Sequence, residues 1–194
     1  MQLTDLSFIK EIDLLKNIER QTSILNGSRR ENSAEHSWHL ATSVFVFKSY
    51  THHKIDLEKA LSLAIFHDIV EIDAGDTFVY ADLNSKADLE LKTLERLVAL
   101  LPQHTADEIK RLWFEYEENQ TAEAQYVNAL DRFLPIYANY LSKGFSWKKH
   151  GIKKSQVIER NKAKIISGLP ELWPIVELIM NEAINDKYLI NDLE

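Results

Sequence analysis

Apolar residues recur at helical spacing along most of this 194-residue chain, and little in it would stop a helix, since it holds only 5 glycines and 4 prolines. Sandwiches and barrels need turn residues between many short strands, so the pattern predicts long helices. Leu6, Ile9, Ile12, Leu15 and Ile18 mark a first helix, capped by Thr4 or Asp5 and ended by Asn26-Gly27-Ser28. Residues 29–32 read as a polar loop. Ser33 is the expected N-cap of a second helix, which runs through Trp38, Leu40, Val44 and Phe47 toward His52-His53. Asp56 caps a third over residues 57–70, apolar nearly all round and so predicted to be buried and central. A structured loop over 71–80 precedes helices at 85–101 (stopped by Pro102), at 106–118 and from Thr121 to Lys143-Gly144, the last with Pro135 as an expected kink. After a Lys-rich polar connection at 145–154, helical spacing resumes from Val157 to Gly168 and again after Trp173-Pro174. The expected architecture is an all-α, single-domain bundle of about seven or eight helices spanning residues 1–194.

The composition narrows what such a bundle does. Hydrophobic residues make up 45%, enough for a sizeable core. The formal net charge of -7 argues against a duplex nucleic-acid partner, which calls for a basic surface. The chain has no cysteine, so disulfides, thiolate metal sites and cysteine nucleophiles are excluded, and any metal must sit on His, Asp or Glu. No secretory signal and no span of about 20 apolar residues is read, so no membrane is expected and the cytoplasm is the expected location. GxxxxGK, HExxH and GxSxG motifs do not occur. The Trp residues and His39 read as packing groups, and the Lys pairs at 148–149 and 153–154 as a solvated face.

Three places carry unusual polar residues. His67-Asp68 stands at the polar end of the most apolar helix, where an unpaired carboxylate would be costly to bury. A cation is one way to offset that cost; loop amides or an arginine are another. His36 lies near the start of its helix, and Asp131 sits between apolar neighbours in Asn128-Ala129-Leu130-Asp131, where a metal or Arg132 could partner it.

The blocks Arg30-Glu31-Asn32-Ser33-Ala34-Glu35-His36-Ser37, His67-Asp68-Ile69-Val70-Glu71 and Ala74-Gly75-Asp76-Thr77, followed by Asp131, resemble the HD-domain superfamily of phosphohydrolases. Within it they look like the branch of bacterial 5′-deoxynucleotidases. The resemblance covers roughly residues 5–142; the C-terminal extension at about 153–190 adds nothing specific to it. It implies that His36, His67, Asp68 and Asp131 hold one divalent ion, that Glu71 orients or deprotonates the attacking water, that Asp76, with Thr77 beside it, reads a sugar hydroxyl, and that Arg29 or Arg30 contacts phosphate. It also implies a homodimer. Two imidazoles and two carboxylates suit Mn²⁺, Co²⁺, Fe²⁺ or Mg²⁺. The chain departs from the branch in two ways. An upstream Arg-Trp pair is replaced by Arg20-Gln21-Thr22, so Arg20 is a shifted phosphate candidate and the aromatic platform is missing; and Gln125 stands where relatives often place a Lys. The reading is a metal-dependent 5′-nucleotidase acting on a small nucleotide. Hydrolysis of another small phosphoester, or a catalytically silent nucleotide sensor, are the alternatives.

Overall fold

The computed structural model describes residues 3–76 and 86–193. Thr77 and the expected helix start at Ser85 lie outside the described residues, as do the side chains of Thr4 and Asp5. The described elements are α1 (Leu3–Ile12), a 3-10 turn (Asp13–Asn17), β1 (Glu19–Ser23), β2 (Arg30–Asn32), α2 (Ser33–Phe47), α3 (Leu57–Phe66), α4 (Glu71–Ala74), α5 (Lys86–Val98), α6 (Gln103–Glu118), α7 (Ala122–Leu141), α8 (Phe145–His150), α9 (Lys154–Gly168) and α10 (Leu172–Asn185). The all-α expectation holds, with one small antiparallel hairpin, β1–β2, added. No helix among the described residues is long and apolar enough to cross a membrane.

Each departure from the predicted elements has a local cause. The first helix stops at Ile12 rather than Ile18, because Ile18 is extended (φ −88°, ψ 102°) and its carbonyl accepts from the Ser33 N–H at 3.0 Å. A tertiary bond thus overrides the local apolar spacing, and the expected polar loop at 29–32 becomes β2. The cap of α2 is Asn32, not Ser33: the Asn32 side chain accepts from Glu35 N, and the Glu35 carboxylate accepts from Asn32 N. Asp56 caps α3 as expected, but the helix ends at Phe66. Residues 67–70 then wind through tighter i→i+3 bonds, Ile69 N–H to Phe66 O and Glu71 N–H to Asp68 O, at the position of the His67-Asp68 pair. The expected connection at 145–154 contains α8. Its N-terminus is satisfied by a residue of another helix, since Asn139 Oδ1 accepts from Ser146 N, Ser146 Oγ and Trp147 N at 3.0–3.1 Å. Trp38, expected in the core, is 70% exposed, whereas Trp113, Trp147 and Trp173 are buried.

Two apolar clusters make the core. The larger surrounds α7 and includes Leu40, Leu63, Tyr126, Leu130, Ile165 and Met180; the smaller joins Phe8, Leu15, Ile69, Val70, Leu94, Leu97 and Trp113, and Phe66 packs against both. The His67-Asp68 turn falls where the chain passes from the first cluster to the second. Gly168, read from sequence only as a helix end, has a packing role: a Cβ there would lie 1.9 Å from the Gln125 carbonyl oxygen. Only glycine lets α9 lie this close to the α7 backbone.

Candidate metal centre and cavity

His36, His67 and Asp68 each offer a ligand atom within 4.8 Å of the others. Asp131 completes the group from α7, its Oδ1 lying 2.9 Å from His36 Nε2 and 4.0 Å from His67 Nε2. The two imidazole rings meet edge to face with centroids 5.4 Å apart. Each ring is oriented by its far nitrogen. His67 Nδ1 lies 3.0 Å from the Ala64 carbonyl, and His36 Nδ1 lies 3.6 Å from Glu31. A proton on Nδ1 of His67 leaves Nε2 as a lone pair facing the cluster. That Nε2 is buried and has no hydrogen-bond partner, although Asp68 Oδ2 is 3.0 Å away. A lone pair held against a carboxylate oxygen is unfavourable unless a cation sits between them. The donor set of two imidazoles and two carboxylates therefore fits a divalent ion, with the far-nitrogen contacts that metal-ligating histidines usually make.

The charges nearby are tightly balanced. Burial and the Arg20 charge both oppose protonation of His36, but its hydrogen bond to Asp131 and the nearby Glu31 carboxylate outweigh them and raise its pKa to about 9. Burial disfavours the Asp68 carboxylate, yet Arg20, which donates to it at 2.7 Å, holds its pKa below the usual range. Asp131 is likewise held low against burial by its hydrogen bond to His36, and it accepts a second one from Tyr116 Oη at 2.9 Å. Pro135, one turn on from Asp131 in α7, has no N–H to give the Asp131 carbonyl. Glu71 is buried at the start of α4. Burial, with Asp68 and Asp76 adding to it, pushes its pKa up to about 8, and Ser33 Oγ donates to its Oε2 at 2.5 Å. The one-residue shift of the α2 cap is what leaves the Ser33 hydroxyl available for this bond.

The cluster opens on a cavity of about 530 Å³. One wall comes from the expected motif: Arg20, His67, Asp68, Glu71, Asp76 and Asp131 all line it. Arg20, on β1, donates to Asp68 Oδ2 at 2.7 Å and stands 3.5–3.8 Å from Glu31, Glu71 and Asp76. Asp76 accepts from the Gln21 backbone N–H at 2.9 Å. Arg29 and Arg30 do not line the cavity. Arg29 points into solvent and makes a two-pronged pair with Glu35, and the nearest acid to Arg30 is Glu19. The reason lies in the hairpin, where Arg20 and not residue 29 or 30 faces the cluster. His39 is half-buried beside Trp38 and outside the metal-ligating group.

The opposite wall was missed by the sequence reading. It is built from Tyr116 and Glu117 of α6, Arg132, Pro135, Ile136 and Asn139 of α7, Ser146 and Trp147 of α8, and Arg160, Asn161 and Lys164 of α9. The C-terminal fifty residues therefore shape the site. Arg160, Asn161 and Lys164 share a helical face through their i, i+1, i+4 spacing, a visible feature, but one that reads equally well as a solvated stripe.

The HD domain family matches residues 12–173, a range that takes in α9. Human 5'-deoxynucleotidase HDDC2 is 28% identical over 130 residues, covering 66% of this chain and 62% of that protein. The Xenopus laevis protein of the same name is 30% identical, covering 66% and 63%. This chain thus spans a little under two thirds of the length of these relatives. Among solved structures, one from Magnetospirillum magnetotacticum MS-1, described as a predicted metal-dependent phosphohydrolase, superposes with a TM-score of 0.92 at 40% identity, covering 97% of this chain and 95% of that one. A conserved hypothetical protein from Pyrococcus furiosus superposes at 0.61 with 25% identity, covering 91% and 99%. With the family matched across most of its length and its histidine–carboxylate cluster assembled at the head of a cavity, this chain belongs to the HD-domain family.

Proposed function

We propose that the protein is a metal-dependent phosphomonoester hydrolase that releases phosphate from nucleoside 5′-monophosphates, deoxynucleotides among them. The observation that carries the reading is the unsatisfied His67 Nε2 inside a His–His–Asp group at the mouth of a nucleotide-sized cavity. The names of the curated relatives support the nucleotidase form of it.

In this reading His36, His67, Asp68 and Asp131 hold one divalent ion of the Mn²⁺, Co²⁺, Fe²⁺ or Mg²⁺ class. Such an ion supplies Lewis acidity toward a phosphoryl oxygen and makes water a better nucleophile at neutral pH. The chain's own groups do the rest. Glu71, one turn beyond His67 and fixed by Ser33, accepts the proton of the attacking water. The phosphorus–oxygen ester bond breaks as the new one forms, and the leaving alkoxide is protonated to give nucleoside and inorganic phosphate. Arg20 holds Asp68 ionised and stands 3.8 Å from both Glu71 and Asp76. Asp76, immobilised by the Gln21 N–H, presents its other oxygen to a sugar hydroxyl.

Phosphate release from a panel of ribo- and deoxyribonucleoside 5′-monophosphates, with Mn²⁺, Co²⁺ or Mg²⁺, tests the reading. Release with one metal that vanishes in Asp68→Ala is the expected result. Folded, metal-loaded protein inert on the whole panel would reject the nucleotidase reading and favour another small phosphoester, the second reading, which the missing aromatic at residues 21–22 motivates.

A further inference from the structure

We propose that Arg132 of α7 and Lys164 of α9 together form the phosphate-binding subsite, so that the substrate's anionic group is held from the C-terminal wall and not by the arginines of the hairpin. The proposal rests on the phosphohydrolase reading for its substrate class, and on separate observations for its residues.

A dianionic phosphate bound beside a cluster of carboxylates needs cations not already committed to those carboxylates. Arg20 is committed: it donates to Asp68, and although its Nε lacks a hydrogen-bond partner, as does that of Arg132, that Nε faces Glu31 at 3.5 Å and the guanidinium lies 3.8 Å from Glu71 and Asp76. Arg29 is bound to Glu35 outside the cavity. Among the described residues, the cations left on the cavity surface are Arg132, Lys164 and Arg160.

Arg132 follows Asp131 directly. Among the described residues its buried Nε has no hydrogen-bond partner, and its one ion-pair contact, to Asp131 Oδ2, is long at 3.9 Å. A buried guanidinium N–H with no acceptor is uncommon in native proteins and points to an acceptor that arrives with the ligand. Lys164 is partly buried. Its Nζ donates to Asn128 Oδ1 at 3.2 Å, leaving two protons for another acceptor, and Glu117 on the same wall makes no ion pair with it. Burial and the nearby Arg132 charge lower the Lys164 pKa and outweigh the opposing pull of Asp131 and Glu117, so the two cations face each other across the cavity incompletely neutralised. An arginine fork beside a lysine point charge is a fitting arrangement for a tetrahedral dianion. The packing supports the same assignment: the Gly168 contact with Gln125 holds α9 against α7, and one turn earlier Lys164 reaches Asn128. Arg160, exposed one turn before Lys164, lies along the same approach.

Inorganic phosphate is the probe, titrated calorimetrically into Mn²⁺-loaded protein. Wild type is expected to bind it, with Arg132→Gln and Lys164→Met each weakening binding at least tenfold and Arg29→Ala leaving it unchanged, all with the same Mn²⁺ stoichiometry. Lys164 is only partly buried, so Lys164→Met keeps the test valid should Arg132→Gln fold poorly. Wild-type binding retained in both charge-removing variants would overturn the proposal, as would weakening by Arg29→Ala alone. Loss of phosphate binding in these variants of a protein inert on every nucleotide would support the subsite and reject the nucleotidase reading. Nucleotide hydrolysis with an unchanged KM in both variants would do the reverse.

Discussion

The two walls of the cavity differ in how the fold secures them. The motif wall is held by polar bonds among its own members: His36 to Asp131, Arg20 to Asp68 and Ser33 to Glu71. The C-terminal wall is held by packing, with Gly168 against the α7 backbone and Val157, Ile165 and Trp147 in the larger apolar cluster, while its cations make few bonds to the protein. A wall whose polar groups satisfy one another is built for a fixed reaction geometry. A wall with spare donors is built to receive a ligand. Chemistry and recognition are thus divided between α2–α4 with Asp131 of α7 on one side and Arg132 of α7 with α8–α9 on the other.

Substitutions on each wall should separate these roles. The largest effect is expected from Glu71→Gln, which keeps shape and removes the proton acceptor: turnover should fall by about 10²–10⁴-fold, with Mn²⁺ content unchanged. Equal loss of metal and activity would instead make Glu71 a ligand. Next comes Gly168→Ala. Its methyl group would overlap the Gln125 carbonyl, so a cost of about 1–3 kcal/mol is expected from overpacking, read as a lower denaturation midpoint, together with weaker phosphate binding as α9 moves outward. A variant as stable as wild type would contradict the packing account.

A smaller and pH-dependent effect is expected in chelated protein. The folded-state pKa of His36 is raised to about 9 from 6.5, and that of Glu71 to about 8 from 4.5. Across these intervals the folded state holds protons that the unfolded chain has released, so stability falls as pH rises. Asp68 and Asp131, held low, ionise below this window and do not offset the trend. Melting temperature after chelation should therefore drop between pH 5 and 9. Added Mn²⁺ should raise it most at the alkaline end, where the ion no longer competes with the His36 proton. A flat profile would show that these two groups do not titrate as the geometry requires. The smallest effect belongs to Arg29→Ala, an exposed pair outside the cavity, which should leave turnover and KM at wild-type values.

The motif wall was legible in the sequence because its residue types are out of place. A His-Asp pair ending an apolar helix, and an Asp among Ala, Leu and Phe, are expensive without a partner. The helical class was legible from periodicity, and α4 and α8, of four and six residues, are too short to register there. The hairpin escaped notice because tertiary bonds outside its own segment, such as Asp76 to Gln21 N, decide its conformation. The cap of α2 was misplaced by one residue although Asn32 and Glu35 have the spacing of a capping box. The C-terminal wall left little trace: Arg160 and Lys164 on one helical face have the signature of a solvated surface, and only the close approach at Gly168 turns that face inward.

The central claim is that the His–carboxylate cluster is one divalent-metal site. Its most direct test is calorimetric titration of Mn²⁺ into chelated wild-type protein and into Asp68→Ala and His67→Ala. One equivalent bound by the wild type, and none by either folded variant, is the predicted result. Wild type that binds no ion, or variants that bind it as tightly as the wild type, would contradict the account.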